Sequence, residues 1–282
     1  MKPESSITTT AGIKIPKIIY GTAWKKERTA ELVEQAIVAG FRGIDTACQP
    51  KHYHEAGVGE GIAACINRGL VTRPGLYLQT KFTSLDGQDP QRIPYDPKAS
   101  LSDQVTQSFQ VSLANLQTIY LDCLVLHSPM TSPQLTLEVW RAMEKLVKSG
   151  GIKQLGISNC YELEALEALY LSAEIKPAII QNRFYANTDY DRAIRAFCKV
   201  NGIIYQSFWT LTANPHVLAD YSVLNIASKY QHTPAQVFFR YLSQIGIVPL
   251  TGTTSSIHMQ EDLSIFEFEL NYEDCAAIES LL

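Results

Sequence analysis

Asp45, Tyr53, Lys81 and His127 are side chains that could together hand a proton to a carbonyl oxygen. A free phenol titrates near 10, so it is a poor acid at neutral pH unless a cation lies beside it. One ammonium at about 4 Å contributes roughly 4 kcal/mol at an effective dielectric near 20, which matches a shift of about three pH units. Lys81 can supply that charge, Asp45 can hold Lys81 charged and oriented, and His127 can hydrogen-bond the phenol or an incoming carbonyl oxygen. Taken singly, each has a plainer reading. Asp45 and Lys81 make a structural ion pair, His127 a core histidine, and Tyr53 a surface aromatic. Their positions along the chain bring them together.

Each titratable group ends a short apolar run. Asp45 ends the run at 41–46, Lys81 the run at 76–82 and His127 the run at 121–127, and the loop after Asp45 delivers Tyr53. Five further runs, at 17–22, 152–157, 178–184, 202–208 and 246–251, have the same β-rich composition and polar or glycine boundaries. Amphipathic stretches of helical period lie between them, at 29–38, 101–116, 135–147, 162–171, 190–199 and 217–230. Eight such βα units predict a parallel sheet closed into an α/β (β/α)8 TIM barrel, with a small hairpin at 4–16 before it. In the fourth strand Cys123, Val125 and His127 share the inward face. Barrel chemistry sits at the C-terminal strand ends, where the three groups fall.

The 282 residues carry no Gly/Ser-rich or charged linker, which predicts one domain over 1–282. A hydrophobic content of 46% and a charged content of 18% supply an ample core. The net charge of −4 argues against nucleic acid as a partner. No apolar run is long enough to span a membrane and no signal-like stretch opens the chain, so the expected address is cytoplasmic. The six cysteines are scattered without a C-x-x-C pair and read as reduced thiols. Nothing signals a large obligate interface, so a monomer is the default.

In motif order from about Ile15 to the C-terminus, the chain resembles the aldo-keto reductases. Tyr20-Gly21-Thr22-Ala23-Trp24 is similar to the family's first strand, Gly40 to Ala47 to its Asp-bearing motif, and Thr80-Lys81 to its lysine strand. Leu124 to Pro129 resembles the histidine strand, and Lys153 to Asn159 with Gln181-Asn182 completes the set. The resemblance implies NAD(P)H-dependent reduction of a small-molecule aldehyde or ketone. Hydride would come from the nicotinamide and the proton from Tyr53, with Asp45, Lys81 and His127 around it. It also implies that Ser158, Asn159 and Gln181 hold the carboxamide and that Phe208, with Trp209 second, stacks on the ring. Thr22, Leu211, Thr253, Thr254, Ser255, His258, Glu261 and Asp262 would complete the cofactor cleft. Thr210 and Asn214 fall where the family wraps the pyrophosphate, whereas Tyr205 is expected to pack inside.

Three departures stand out. The family tyrosine follows the aspartate by five residues, where this chain has Pro50; Tyr53 lies eight residues on, which implies a longer loop folded back. Strand seven reads Phe208-Trp209-Thr210-Leu211 in place of Tyr-Ser-Pro-Leu. Gly252 and His258 stand where many members carry the Lys and Arg that meet a 2′-phosphate, so NADP(H) is favoured by family habit and NAD(H) is possible. The terminal helix expected at 272–281 ends the chain without a long lid. An open cleft walled by Trp24, Tyr95 and Trp209 then suits bulky or aromatic carbonyl compounds.

Two other readings remain on the sequence. His52 and His54 with Asp45 and His127 could ligate a metal in a barrel hydrolase, although the remaining histidines lie off the strand ends. A catalytically weak nucleotide-binding or redox-sensing subunit would share the scaffold. Gly57-Val58-Gly59-Glu60-Gly61 lacks the strand, the spacing and the downstream acid of a dinucleotide fingerprint, and reads as a close helix contact.

Overall fold

The computed structural model describes residues 5–282. Strand β1 (Ser6–Thr8) pairs antiparallel with β2 (Lys14–Pro16), the predicted hairpin. Strands β3 (Ile19–Gly21), β4 (Gly43–Asp45), β5 (Tyr77–Phe82), β6 (Cys123–Leu126) and β7 (Leu155–Ser158) follow. With β8 (Ile179–Arg183), β9 (Ile204–Phe208) and β10 (Val248–Thr251) they form one closed parallel barrel in chain order, β10 beside β3. Every strand overlaps its predicted run, and only β7 passes its end, by the one residue Ser158, because short β-branched and aromatic segments bounded by turn residues have few alternatives.

Alternation along the strands separates two cores. Ile19, Tyr77, Cys123, Val125, Ile179 and Val248 fill the barrel, and Ile15 of the hairpin joins them to close the N-terminal mouth. Ile44, Leu78, Leu124, Leu126, Ile180 and Tyr205 point outward into the larger core beneath the helices. The inward parity of Cys123 and Val125 continues to His127 at the opposite mouth.

Helices α1 (Thr29–Ala39), α2 (Glu55–Asn67), α3 (Leu101–Asn115), α4 (Pro133–Lys148), α5 (Leu163–Ser172) and α6 (Arg192–Asn201) make the first six crossovers. Glycines let α2 approach its neighbours closely. A Cβ on Gly59 would fall 2.0 Å from the Asn115 carbonyl oxygen, and one on Gly61 2.6 Å from that of Ala30.

Three helical stretches differ from expectation. The predicted 190–199 helix starts later, because Asp189, Tyr190 and Asp191 all have left-handed backbone, at φ 48°, 51° and 53°. The predicted 217–230 helix is two, α7 (Pro215–Ala219) and α8 (Tyr221–Tyr230). Between them Asp220 is extended and caps α8, its carboxylate accepting the Ser222 N–H at 2.8 Å. Helix α9 (Pro234–Gln244) has no predicted counterpart. Its residues 236–243 are all buried, although Gln236, Arg240, Ser243 and Gln244 recur at helical spacing along one side. Helices α10 (Ser256–Ser264) and α11 (Tyr272–Glu279) complete the chain. Among the described residues no helix is long and apolar enough to cross a membrane, and all six cysteines are free thiols.

Candidate active site

Asp45 closes β4 and Lys81 lies in β5, both facing the C-terminal mouth of the barrel. The carboxylate is 3% exposed and the lysine 1%. Burying both charges is tolerable because each is saturated. Lys81 Nζ donates to Asp45 Oδ1 at 2.8 Å, to Oδ2 at 2.7 Å and to the Thr46 carbonyl at 2.8 Å. Asp45 Oδ1 also accepts from Gln79 Nε2 at 2.7 Å and Gln181 Nε2 at 2.9 Å. Both glutamine amides donate in turn to Gln206 Oε1, at 2.8 and 2.9 Å. Burial opposes the Lys81 charge, but the Asp45 carboxylate and then the Tyr53 phenol overcome it and hold the ammonium above its ordinary range.

The loop from Thr46 to His54 folds back as its length requires. Cys48 N–H bonds the Lys81 carbonyl, His52 and Tyr53 N–H both bond the Gln49 carbonyl, and the Gln49 side chain bonds Gly87 O. These contacts carry Tyr53 into the cleft, its ring centroid 5.2 Å from Lys81 Nζ and 6.1 Å from the His127 ring. Burial raises the Tyr53 phenol; Lys81 pulls it down, and Asp45 pushes it up again. The ammonium was expected to bring the phenol down, and in this dry site the desolvation outweighs it.

His127 is held down to about 3 by burial first and by Lys81 second, so its imidazole is neutral. Its Nδ1 lies 2.6 Å from Thr83 Oγ1. The Thr83 carbonyl in turn accepts from Tyr95 OH at 2.7 Å. Tyr95 is therefore not a pocket wall. It is buried against Phe82 behind the site, and it steadies Thr83.

Around this group opens a cleft of about 1030 Å³. Among its walls are Trp24, Ser158, Asn159, Gln181, Phe208, Trp209, Leu211, Thr253, His258, Glu261 and Asp262. Trp24 and Trp209 are both well exposed, and Trp24 packs against His52 with the rings tilted, 4.2 Å between centroids. Trp24, Asn159 and Trp209 all adopt left-handed backbone, which gathers strain at the mouth. Ser158 and Asn159 are tied in place: Ser158 Oγ donates to the Gln181 carbonyl, and Asn159 Nδ2 to that of His127. Asp262 accepts from Thr251 Oγ1 at 2.7 Å, and burial raises it to about 6.

Not every expected cleft residue faces the cleft. Thr22 is buried beneath it, its hydroxyl donating to the Asp45 carbonyl at 2.8 Å. Thr254 is on the rim, and Ser255 caps α10 through the His258 N–H. Asn214 is buried and ties the Phe184 and Thr210 carbonyls. Tyr205 is buried as expected, in the core beneath the helices, and donates to Asp191 Oδ2 at 2.9 Å. His52 lies against Trp24 and His54 precedes α2. Among the described residues no three His, Cys, Asp or Glu side chains converge as metal ligands.

Lys25 is the cleft residue that the motif comparison passes over. It is 8% exposed, and its Nζ donates to the Gly252 carbonyl. A Cβ on Gly252 would stand 3.7 Å from that ammonium. Burial first, and Arg28 second, hold Lys25 down to about 8. No carboxylate among the described residues pairs with it, so the cleft presents a cation where the strand-eight loop has none.

A second cavity, of about 960 Å³, lies at the opposite mouth beside the hairpin, and none of the four residues above lines it.

A closed eight-stranded parallel barrel with a buried Asp–Lys pair, a tyrosine and a neutral histidine at its C-terminal mouth defines a class of barrel oxidoreductase. Residues 17–282 match the aldo/keto reductase family model, and the chain belongs to that family. It is 33% identical over 282 residues to the uncharacterized oxidoreductase YtbE of Bacillus subtilis, covering 99% of this chain and 93% of that one. It is 32% identical over 251 residues to the glyoxal reductase of the same organism, covering 89% and 82%. It also superimposes on the crystal structure of a Bombyx mori aldo-keto reductase in complex with NADP, with a TM-score of 0.81, 27% identity and coverage of 98% and 92%.

Proposed function

We propose that this protein reduces an aldehyde or ketone to the alcohol using NAD(P)H, with Tyr53 as the proton donor. The observation that carries the reading is the Asp45–Lys81 pair, sealed from water, with its ammonium 5.2 Å from the Tyr53 ring centroid. The cleft fits a nicotinamide nucleotide. Gln181 spends its amide N–H groups on Asp45 and Gln206, which leaves its Oε1 as an acceptor for a carboxamide. Phe208 offers a half-buried aromatic face beside it.

When bound, the nicotinamide supplies the hydride. Ser158, Asn159 and Gln181 hold its carboxamide, and Phe208 stacks on the ring. Leu211 borders the pyrophosphate path. Lys25, Thr253 and His258 meet phosphate, and Glu261 and Asp262 meet adenine. The Lys25 ammonium supports NADP(H), with NAD(H) still usable through the remaining contacts.

Tyr53 keeps its proton at neutral pH because burial holds the phenol up. As negative charge grows on the substrate oxygen, the phenol releases the proton to it, and Lys81 stabilises the phenolate left behind. The 2.6 Å contact suits a Thr83 hydroxyl that donates to Nδ1, and in that tautomer neutral His127 carries its proton on Nε2 and orients the carbonyl oxygen.

Oxidation of NADPH at 340 nm with a panel of aromatic and aliphatic aldehydes tests the reading. Tyr53→Phe is expected to lose turnover while its NADPH dissociation constant stays within about twofold, since the phenol acts on the substrate. Nucleotide binding without turnover in the wild type would instead select the redox-sensing alternative.

A further inference from the structure

Arg183 ends β8 two residues beyond Gln181, on the same face of the strand. It lines the cleft that holds Tyr53 and His127. Its guanidinium carbon lies 4.2 Å from the Trp209 ring centroid and 5.3 Å from that of Tyr185. Two aromatic faces thus hold the group flat and cut the entropy lost when it binds a ligand. Its Nε is buried without a hydrogen-bond partner, and among the described residues no carboxylate pairs with the guanidinium. Two of the three acids lining the cleft are engaged, Asp45 by Lys81 and the two glutamines and Asp262 by Thr251, and the third, Glu261, makes no salt bridge with Arg183. An arginine held in place, partly desolvated and lacking an anion is matched by a planar oxyanion from outside.

We propose that Arg183 is a specificity-determining residue, and that the preferred substrate is a carbonyl compound bearing a carboxylate. The inference rests on the reductase reading and adds the chemical class of its substrate. The aldehyde or ketone oxygen meets Tyr53 and His127. The carboxylate takes the Arg183 fork, and the exposed face of Trp209 supports the carbon frame between them.

The test compares 4-formylbenzoate with 4-methylbenzaldehyde, which are alike in ring and aldehyde but differ in charge. Steady-state rates at saturating NADPH are measured for wild type, Arg183→Met and Arg183→Lys. Arg183→Met is expected to raise the ratio of KM for the carboxylate to KM for the methyl compound by about tenfold or more, with a smaller effect on kcat, and Arg183→Lys by less. An unchanged ratio overturns the proposal. So does a rise in the NADPH dissociation constant without a change in that ratio, which assigns the guanidinium to the cofactor's pyrophosphate.

If neither aldehyde is turned over, the reductase reading fails and binding still decides the role of Arg183. Trp209, stacked on the guanidinium, reports 4-(hydroxymethyl)benzoate by fluorescence quenching. Binding about tenfold tighter in wild type than in Arg183→Met supports the carboxylate site. Equal binding overturns it.

Discussion

Replacing Lys81 by methionine keeps most of the length of the side chain and removes the terminal ammonium with its charge. Asp45 Oδ2 then loses its 2.7 Å donor and the Thr46 carbonyl its 2.8 Å donor. Gln79 and Gln181 still serve Oδ1. Breaking a buried ion pair from one side costs about 3–5 kcal/mol, and the two remaining amide donors set the expected loss near the lower end, about 3 kcal/mol. At about 2–4 °C per kcal/mol for a chain of this size, the melting temperature falls by about 6–12 °C. Asp45→Asn combined with Lys81→Met removes both charges and keeps an amide for the glutamine belt. It is expected to recover more than half of that loss while turnover stays absent, because the phenol has no cation. Differential scanning fluorimetry and the 340 nm assay, run on wild type, both single variants and the double, measure the cycle. A melting temperature for Lys81→Met within about 3 °C of wild type would refute the reasoning, since it would mean that water reaches the pair. Full turnover by the double variant would refute the role given to the ammonium.

Thr83→Val removes the hydroxyl at His127 Nδ1, frees the ring to exchange tautomers, and should lower kcat by about tenfold, with Thr83→Ser retaining most of it. Lys25 is charged below about 8 and neutral above, so the NADPH dissociation constant should rise as pH passes that value, by up to about tenfold at pH 9. Lys25→Arg stays charged and should flatten the profile in the same fluorescence titration, and a wild-type profile flat from pH 7 to 9.5 would refute the role of Lys25. Gly59→Ala forces a methyl to within 2.0 Å of the Asn115 carbonyl, and should destabilise the protein by about 1–3 kcal/mol or more in thermal denaturation. An unshifted melting temperature would show that α2 and α3 separate at little cost.

The barrel was legible in the sequence because strands and helices announce themselves through local composition and period. Runs ending on Asp45, Lys81 and His127 also state their parity, and parity alone aims all three groups into one mouth. Helix α9 was legible in principle, since Gln236, Arg240 and Gln244 recur at helical spacing and Thr233-Pro234 with Gln236 carries a capping signal: the Thr233 N–H bonds Gln236 Oε1 at 2.8 Å. Tyr95 was misplaced because proline-rich loop composition says nothing about which side of a strand end the loop covers. Thr22 was misplaced because a residue at a strand end can face the cleft or brace the strand beside it.

What the sequence by itself determined is the set of elements and the residue types at their ends, since both depend on interactions within a few residues. The tertiary structure decided the rest, through contacts made across long separations. Gln79 and Gln206 meet Asp45 and Gln181 only once the barrel closes, and their inward parity was the available hint. Lys25 reaches Gly252 across the β3–β10 seam, and Arg183 finds Trp209 across β8 and β9. Desolvation belongs to the fold as well. It holds the Tyr53 phenol up and His127 neutral, and no pattern of neighbours along the chain reports how much water a closed mouth excludes.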